Sequence, residues 1–267
     1  MARDVVDDRL IGALHIRALT RSGFAHDVAQ EHLVLQAGTI AALMDGHYDG
    51  DVRVGDLLAR ADLGIGTIQH LDGELVIVDG EAWIVHADGS VEAVPPETKT
   101  PFVVACRFVA AHSRHTSEPL SFAALCQVLD DLAPPDEPVV AVRVDGHFRD
   151  LRLRSVHAQH PPYPPLREVV AHQTEWTVVE ATGTVVGFRF PDASSGIEVP
   201  GYHLHFLSAD RAYGGHVLGL TLVDGDLNVD GEHDLHVEVP AGIRLGEAGA
   251  GGLADEIHAV EGGPASN

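Results

Sequence analysis

Apolar and polar residues alternate with a period of two through most of the second half of the chain. "VVAVRV" from Val139, "LRLRSV" from Leu151, "WTVVEA" from Trp176, "TVVGFRF" from Thr184, "YHLHFL" from Tyr202, "HVLGLTLV" from His216 and "LHVEV" from Leu235 read as strands with one face buried. In the first half, "ELVIVDGEAWIVHADGSVEAV" from Glu74 places Asp79-Gly80 and Asp88-Gly89 between apolar runs, a strong hairpin signal. Helical spacing is scarcer. "TIAALMDGHYDG" predicts a short helix stopped by Gly46, "SFAALCQVLDDL" a helix over 121–132 with Ser121 as N-cap and "APPDEP" after it, and "YPPLREVVAHQ" one more. Many strands, few short helices and Gly or Pro turns predict an α+β, β-rich fold: two sheet-based subdomains of mixed or antiparallel strands. The expected division is an N-terminal extension over 1–28, subdomains over 29–135 and 136–245, and a tail over 246–267.

Composition narrows the function. The 267 residues, 45% apolar and 21% charged, fit a globular chain with a sizeable core. No apolar run approaches the roughly 20 residues of a membrane span. Forty acidic against seventeen basic residues give a formal charge of -23, which repels phosphate backbones and anionic lipid surfaces. Nucleic acid and membrane are therefore not expected partners, and an anionic substrate needs a local cation or metal. The N-terminal stretch lacks a secretory pattern, so a cytoplasmic setting is expected. Cys106 and Cys126 stand far apart in apolar segments and are expected to be free thiols.

The candidate chemistry lies in "GYHLHFLSADRAYGGH", residues 201–216. On a strand His203 and His205 share one face about 7 Å apart along the backbone, while Tyr202, Leu204 and Phe206 face the other way. A turn through "FLSADRAYGG" folds His216 back toward the pair. Three neutral imidazoles with an open fourth position describe a catalytic zinc site rather than a closed structural one. Among 18 histidines roughly one H-x-H is expected by chance, so the pair alone is a weak signal. The pairs His112/His115, His157/His160 and His233/His236 lack a third partner in strand context and read as surface residues.

Six ordered blocks carry a stronger signal: "LMDGHYDGD" (43–51), "LGIGTIQHLDGELVIVDGE" (63–81), "PFVVACRF" (101–108), "RSVHAQHPPYPPLREVVAHQ" (154–173), "GTVVGFRFP" (183–191) and "VPGYHLHFLSADRAYGGHV" (199–217). Together they resemble the α-acetolactate decarboxylases over about residues 37–261. The resemblance implies a zinc-dependent carboxy-lyase that converts acetolactate to acetoin and carbon dioxide without an organic cofactor, as a homodimer. It places the zinc ligands at His203, His205 and His216, an active-site glutamate at Glu74, a threonine at Thr67 and an arginine at Arg154. A second glutamate falls on Glu261, with Glu256 as the other candidate, so that the C-terminal tail contributes to the site. Glu198, where a small or amide residue is expected, and the extra histidines of "SVHAQHPPY" depart from the family pattern.

The chemistry suits these residues. Loss of carbon dioxide from a small anionic hydroxy-keto acid leaves an electron pair held as an enediolate. A zinc chelated by the ketone and hydroxyl oxygens stabilises it. Arg154 can grip the carboxylate, and Glu74 or Glu261, as a carboxylic acid, can protonate carbon; which of the two does so stays open. Arg152 shares the strand face of Arg154. One rival is a cupin-like oxygenase. That motif calls for a glutamate three or four positions after the second histidine, where this chain has Ser208 and Ala209, with Asp210 beyond. The other rival is a non-catalytic metal-binding module with a fourth protein ligand.

Overall fold

β-Strands dominate the computed structural model, which describes residues 15–20, 32–133 and 137–239 together with Ile257 and Val260. In chain order they are β1 (His15–Thr20), β2 (Leu33–Ala37), β3 (Val52–Arg53), β4 (Leu63–Thr67), β5 (Glu74–Val78), β6 (Glu81–Val85), β7 (Val91–Ala93), β8 (Lys99–Thr100), β9 (Phe102–Cys106), β10 (His112–Thr116), β11 (Leu120–Ser121), β12 (Val139–Ser155), β13 (Thr174–Phe190), β14 (Gly201–Ser208), β15 (Gly214–Glu232) and β16 (Asp234–Glu238). The α-helices among the described residues are α1 (Ile40–Met44), α2 (Val54–Leu58), α3 (Phe122–Leu132) and α4 (Leu166–Val170). The two Asp-Gly turns expected from sequence join β5 to β6 and β6 to β7. Ser121 caps α3 by accepting the Ala124 N–H. No helix among the described residues is long and apolar enough to cross a membrane.

Eight strands form one sheet in the order β1-β16-β2-β9-β4-β5-β6-β7. The hairpin-rich part is antiparallel, whereas β16 runs parallel to both β1 and β2. The sheet thus joins strands from both ends of the chain, including an edge strand from the segment expected to be an extension. His236, expected at the surface with His233, is instead fully buried on β16; two flanking strands hide its backbone, while His233, just before the strand, stays half-exposed.

The second sheet runs β10-β15-β12-β13-β14, and β14 pairs again with β15. β12, β13, β14 and β15 therefore close into a ring, and the register breaks between β12 and β15 let such long strands bend. Phe148, Leu153, Leu204, Phe206 and Leu222 fill the ring, with Leu125 and Leu129 of α3 packed against them. The opposite faces of the same strands, with Val139, Ala141, Val186 and Leu207, pack on the first sheet through Val76, Val78 and Val104. This inter-sheet layer positions the candidate site.

Two acids enter the layer. Asp230 and Glu232 pair with Ala141 and Val139, so they share the face turned toward the first sheet, and both are buried. Asp230 accepts the Val109 N–H at 2.8 Å. Burial, with the Asp230 charge adding to it, pushes the Glu232 carboxyl from 4.5 up to about 8, and burial likewise raises the Cys106 thiol beside it. Across the window from 4.5 to about 8 the folded chain keeps a proton that the unfolded chain has released, so folding stability falls as pH rises. Glu232→Gln is expected to flatten this slope, measured by urea unfolding at about pH 5 and about pH 8. Equal slopes in the variant and the parent would contradict the assignment.

Candidate metal centre

Local geometry brings the three histidines together. β14 and β15 are antiparallel with His205 directly opposite His216. The close approach requires glycine: a Cβ on Gly214 would lie 2.4 Å from the Phe206 carbonyl oxygen, and one on Gly215, whose φ is +135, would lie 2.7 Å from the Arg154 carbonyl oxygen. His203 lies two residues before His205 on the same face, as the alternation predicts. Ring centroids are 5.2 Å apart for His203 and His205, 5.0 Å for His203 and His216, and 5.3 Å for His205 and His216. One nitrogen from each ring lies within 4.8 Å of the others, and all three residues are buried.

The donor set fits a borderline divalent metal. Burial, reinforced by the neighbouring His205 and Arg154, holds His203 well below the ordinary imidazole range. Burial also pulls His205 down to about 3, against the raising effect of its hydrogen bond to Leu75. Both rings are therefore neutral at physiological pH, the form that ligates. His205 Nδ1 lies 2.8 Å from the Leu75 carbonyl oxygen, which can only accept, so Nδ1 carries the proton and Nε2 presents its lone pair. That Nε2 makes no hydrogen bond although it is buried. A tautomer fixed by a backbone carbonyl is the usual support of a ligating histidine.

Glu74 and Arg154 complete the polar wall. Glu74 opens β5 after the Asp72-Gly73 turn and is buried. Its Oε1 accepts from Arg154 Nη1 at 3.0 Å, and its Oε2 lies 3.5 Å from His205 Nε2. Arg154 is opposite His216 on β12. It is 2% exposed, whereas Arg152, on the same face but farther from the first sheet, is a solvated partner of Glu175 at 3.7 Å. Arg154 Nη2 also reaches the Val260 carbonyl at 3.4 Å. Thr67 ends β4 and donates from Oγ1 to the Gly73 carbonyl at 2.8 Å, which anchors the turn before Glu74. Glu261 and Glu256 lie outside the described residues.

Thr67, Glu74, Arg154 and His203 share a small pocket, partly open to solvent, with Ile40, Leu43, Leu71, Phe102, Val156 and Leu166. Sequence reasoning singled out the polar half and missed the apolar half. Those residues come from five separate segments, and nothing in their local pattern separates a pocket wall from ordinary core. The Leu75 carbonyl was likewise invisible, since a backbone group leaves no residue signature. Glu198 is buried and accepts the Val199 N–H at 2.7 Å, outside the residues that line the pocket. Ser208 donates to Asp210 at 2.7 Å, and neither joins the histidine cluster.

A β-rich scaffold with a buried triple-imidazole face beside the Glu74–Arg154 pair defines a candidate mononuclear metalloenzyme for a small anion. Comparisons with known proteins narrow that class. The family model for alpha-acetolactate decarboxylase matches residues 34–247. The alpha-acetolactate decarboxylase of Methylococcus capsulatus is 37% identical over 233 residues, covering 87% of this chain and 90% of its own length. That of Klebsiella aerogenes is 37% identical over 211 residues, covering 79% and 81%. The crystal structure of alpha-acetolactate decarboxylase from Bacillus subtilis superposes with a TM-score of 0.82 at 31% identity, covering 86% of this chain and 99% of that one. The chain belongs to the alpha-acetolactate decarboxylase family, a family of carboxy-lyases.

Equilibrium dialysis of chelator-treated protein against zinc is expected to give one tightly held ion per chain, and His205→Ala to abolish it while the variant remains folded by circular dichroism. Undiminished stoichiometry in that variant would show that the metal binds elsewhere.

Proposed function

We propose that this chain decarboxylates acetolactate to acetoin and carbon dioxide with a zinc ion held by His203, His205 and His216. The observation that supports it best is the cluster of three buried imidazoles beside the Glu74–Arg154 pair in one pocket, in a chain of this family. When bound, zinc supplies a Lewis acid at the ketone and hydroxyl oxygens of the substrate, where negative charge grows as carbon dioxide leaves.

The chain's own groups account for the remaining requirements. Arg154 gives a buried cation in a protein of formal charge -23, and its planar donors match a carboxylate. Because the guanidinium already holds Glu74 Oε1, the two side chains fix each other's orientation. Cleavage of the bond to the carboxylate leaves its electron pair with the adjacent ketone, and the carbinol carbon must then take a proton. A glutamic acid delivers it in this reading, either Glu74, whose Oε2 faces the histidines, or Glu261, which follows Val260 in the chain. Thr67 keeps the Gly73 turn, and with it Glu74, in place. The apolar half of the pocket excludes water and so strengthens each of these interactions.

A small anionic hydroxy-keto acid as substrate, a homodimer and a cytoplasmic setting belong to the same proposal. The free thiols Cys106 and Cys126 suit a reducing compartment.

The test is release of acetoin and carbon dioxide from racemic acetolactate under anaerobic conditions, before and after chelation and after return of zinc. Turnover is expected to vanish and return with the metal and to be indifferent to oxygen, unlike that of an oxygenase. Arg154→Ala should raise KM and lower kcat together, and Gln in place of the donor glutamate should lower kcat by about a hundredfold or more. No acetoin from folded, zinc-loaded protein would overturn the reading.

A further inference from the structure

The apolar half of the pocket is organised around one residue outside the site so far described. His70 and Leu71 both have left-handed backbones, with φ of 69 and 55, a conformation that costs energy in residues other than glycine and persists only where the surroundings enforce it. The enforcement converges on His70. Its N–H donates to the Tyr48 carbonyl at 2.8 Å, and its carbonyl accepts the Gln159 N–H at 2.7 Å. Its Nδ1 lies 2.6 Å from the Tyr163 hydroxyl, which itself donates to Asp49 Oδ1 at 2.8 Å. The hydroxyl proton is thus committed to Asp49, and His70 Nδ1–H donates to the Tyr163 oxygen.

These contacts tie together three segments that carry pocket walls. Tyr48 and Asp49 follow α1, which bears Leu43. Gln159 and Tyr163 lie in the connection between Val156 and Leu166. Leu71 is the next residue after His70, is buried, and reaches the pocket beside Glu74. Leu43, Leu71, Val156 and Leu166 all line the pocket, so one clamp sets the relative position of four of its apolar residues. Tyr48 reinforces it by donating to the Pro164 carbonyl at 2.9 Å and by edge-on packing against Tyr163 at 5.3 Å.

We infer that His70, clamped by Tyr163 and Asp49, is a positioning residue that presses Leu71 into the pocket and thereby sets the size of the alkyl group the enzyme accepts on the carbinol carbon. The inference rests on the acetolactate reading for its substrate class. Leu71 acts as the contact surface, and His70 and Tyr163 act through it.

The test compares acetolactate with its homologue bearing ethyl in place of that methyl, with kcat and KM measured for wild type, Leu71→Ala and Tyr163→Phe. Leu71→Ala is expected to raise the ratio of kcat/KM for ethyl over methyl about tenfold, the scale on which an apolar pocket discriminates one methylene. Tyr163→Phe deletes only a hydroxyl and should shift the ratio the same way, chiefly through KM. A purely structural role would lower both substrates in proportion, and an unchanged ratio in both variants would overturn the inference. Calorimetric titration of the ketone-reduced dihydroxy acids of both sizes into zinc-loaded protein gives the same comparison without turnover. A shift toward the ethyl acid in Leu71→Ala supports the inference and an unshifted preference overturns it, whereas absence of acetoin from the wild type overturns the functional reading alone.

Discussion

One of the hydrogen bonds between the two sheets underlies the arrangement of the site. His205 Nδ1 on β14 donates to the Leu75 carbonyl on β5 at 2.8 Å, joining the closed ring to the eight-stranded sheet where their faces meet. It fixes the tautomer of a buried imidazole and places Glu74, the residue before Leu75, against the same ring. Removing such a buried pairing leaves an unsatisfied polar group in a dry layer. The packing of the sheets thus brings the histidine face and the Glu74 turn together.

The other features follow from that constraint. Antiparallel pairing puts His216 opposite His205, and Gly214 and Gly215 permit the approach. Arg154 lies across from His216, and its buried cation is paired with Glu74. The polar wall is thus linked through Glu74, which reaches both Arg154 and His205, while the facing wall is apolar and pinned from outside through His70. The enclosure helps exclude water while leaving room beside the histidines.

Much of this was legible in the sequence because strands advertise themselves by alternation. "YHLHFL" fixed which face His203 and His205 share, and the glycine pair before His216 marked the tight return. The Asp-Gly dipeptides marked the turns around β6. Arg154 was harder, since Arg152 and Arg154 alternate identically; only the way β12 runs under the first sheet buries one and solvates the other. His236 looked like a surface residue because its pairing with His233 lacks a third partner in strand context, yet two parallel partners enclose its strand. The apolar wall could not be read at all, because long-range packing rather than local pattern selects it.

The proposed function requires three imidazoles to hold zinc and leave it open to substrate. X-ray absorption at the zinc edge of the loaded protein addresses it directly. Three imidazole nitrogens at about 2.0–2.1 Å are expected, with a light oxygen ligand that is exchanged when a non-reactive substrate analogue is added. A closed shell of four protein ligands, unchanged by the analogue, would contradict it and point to a structural metal.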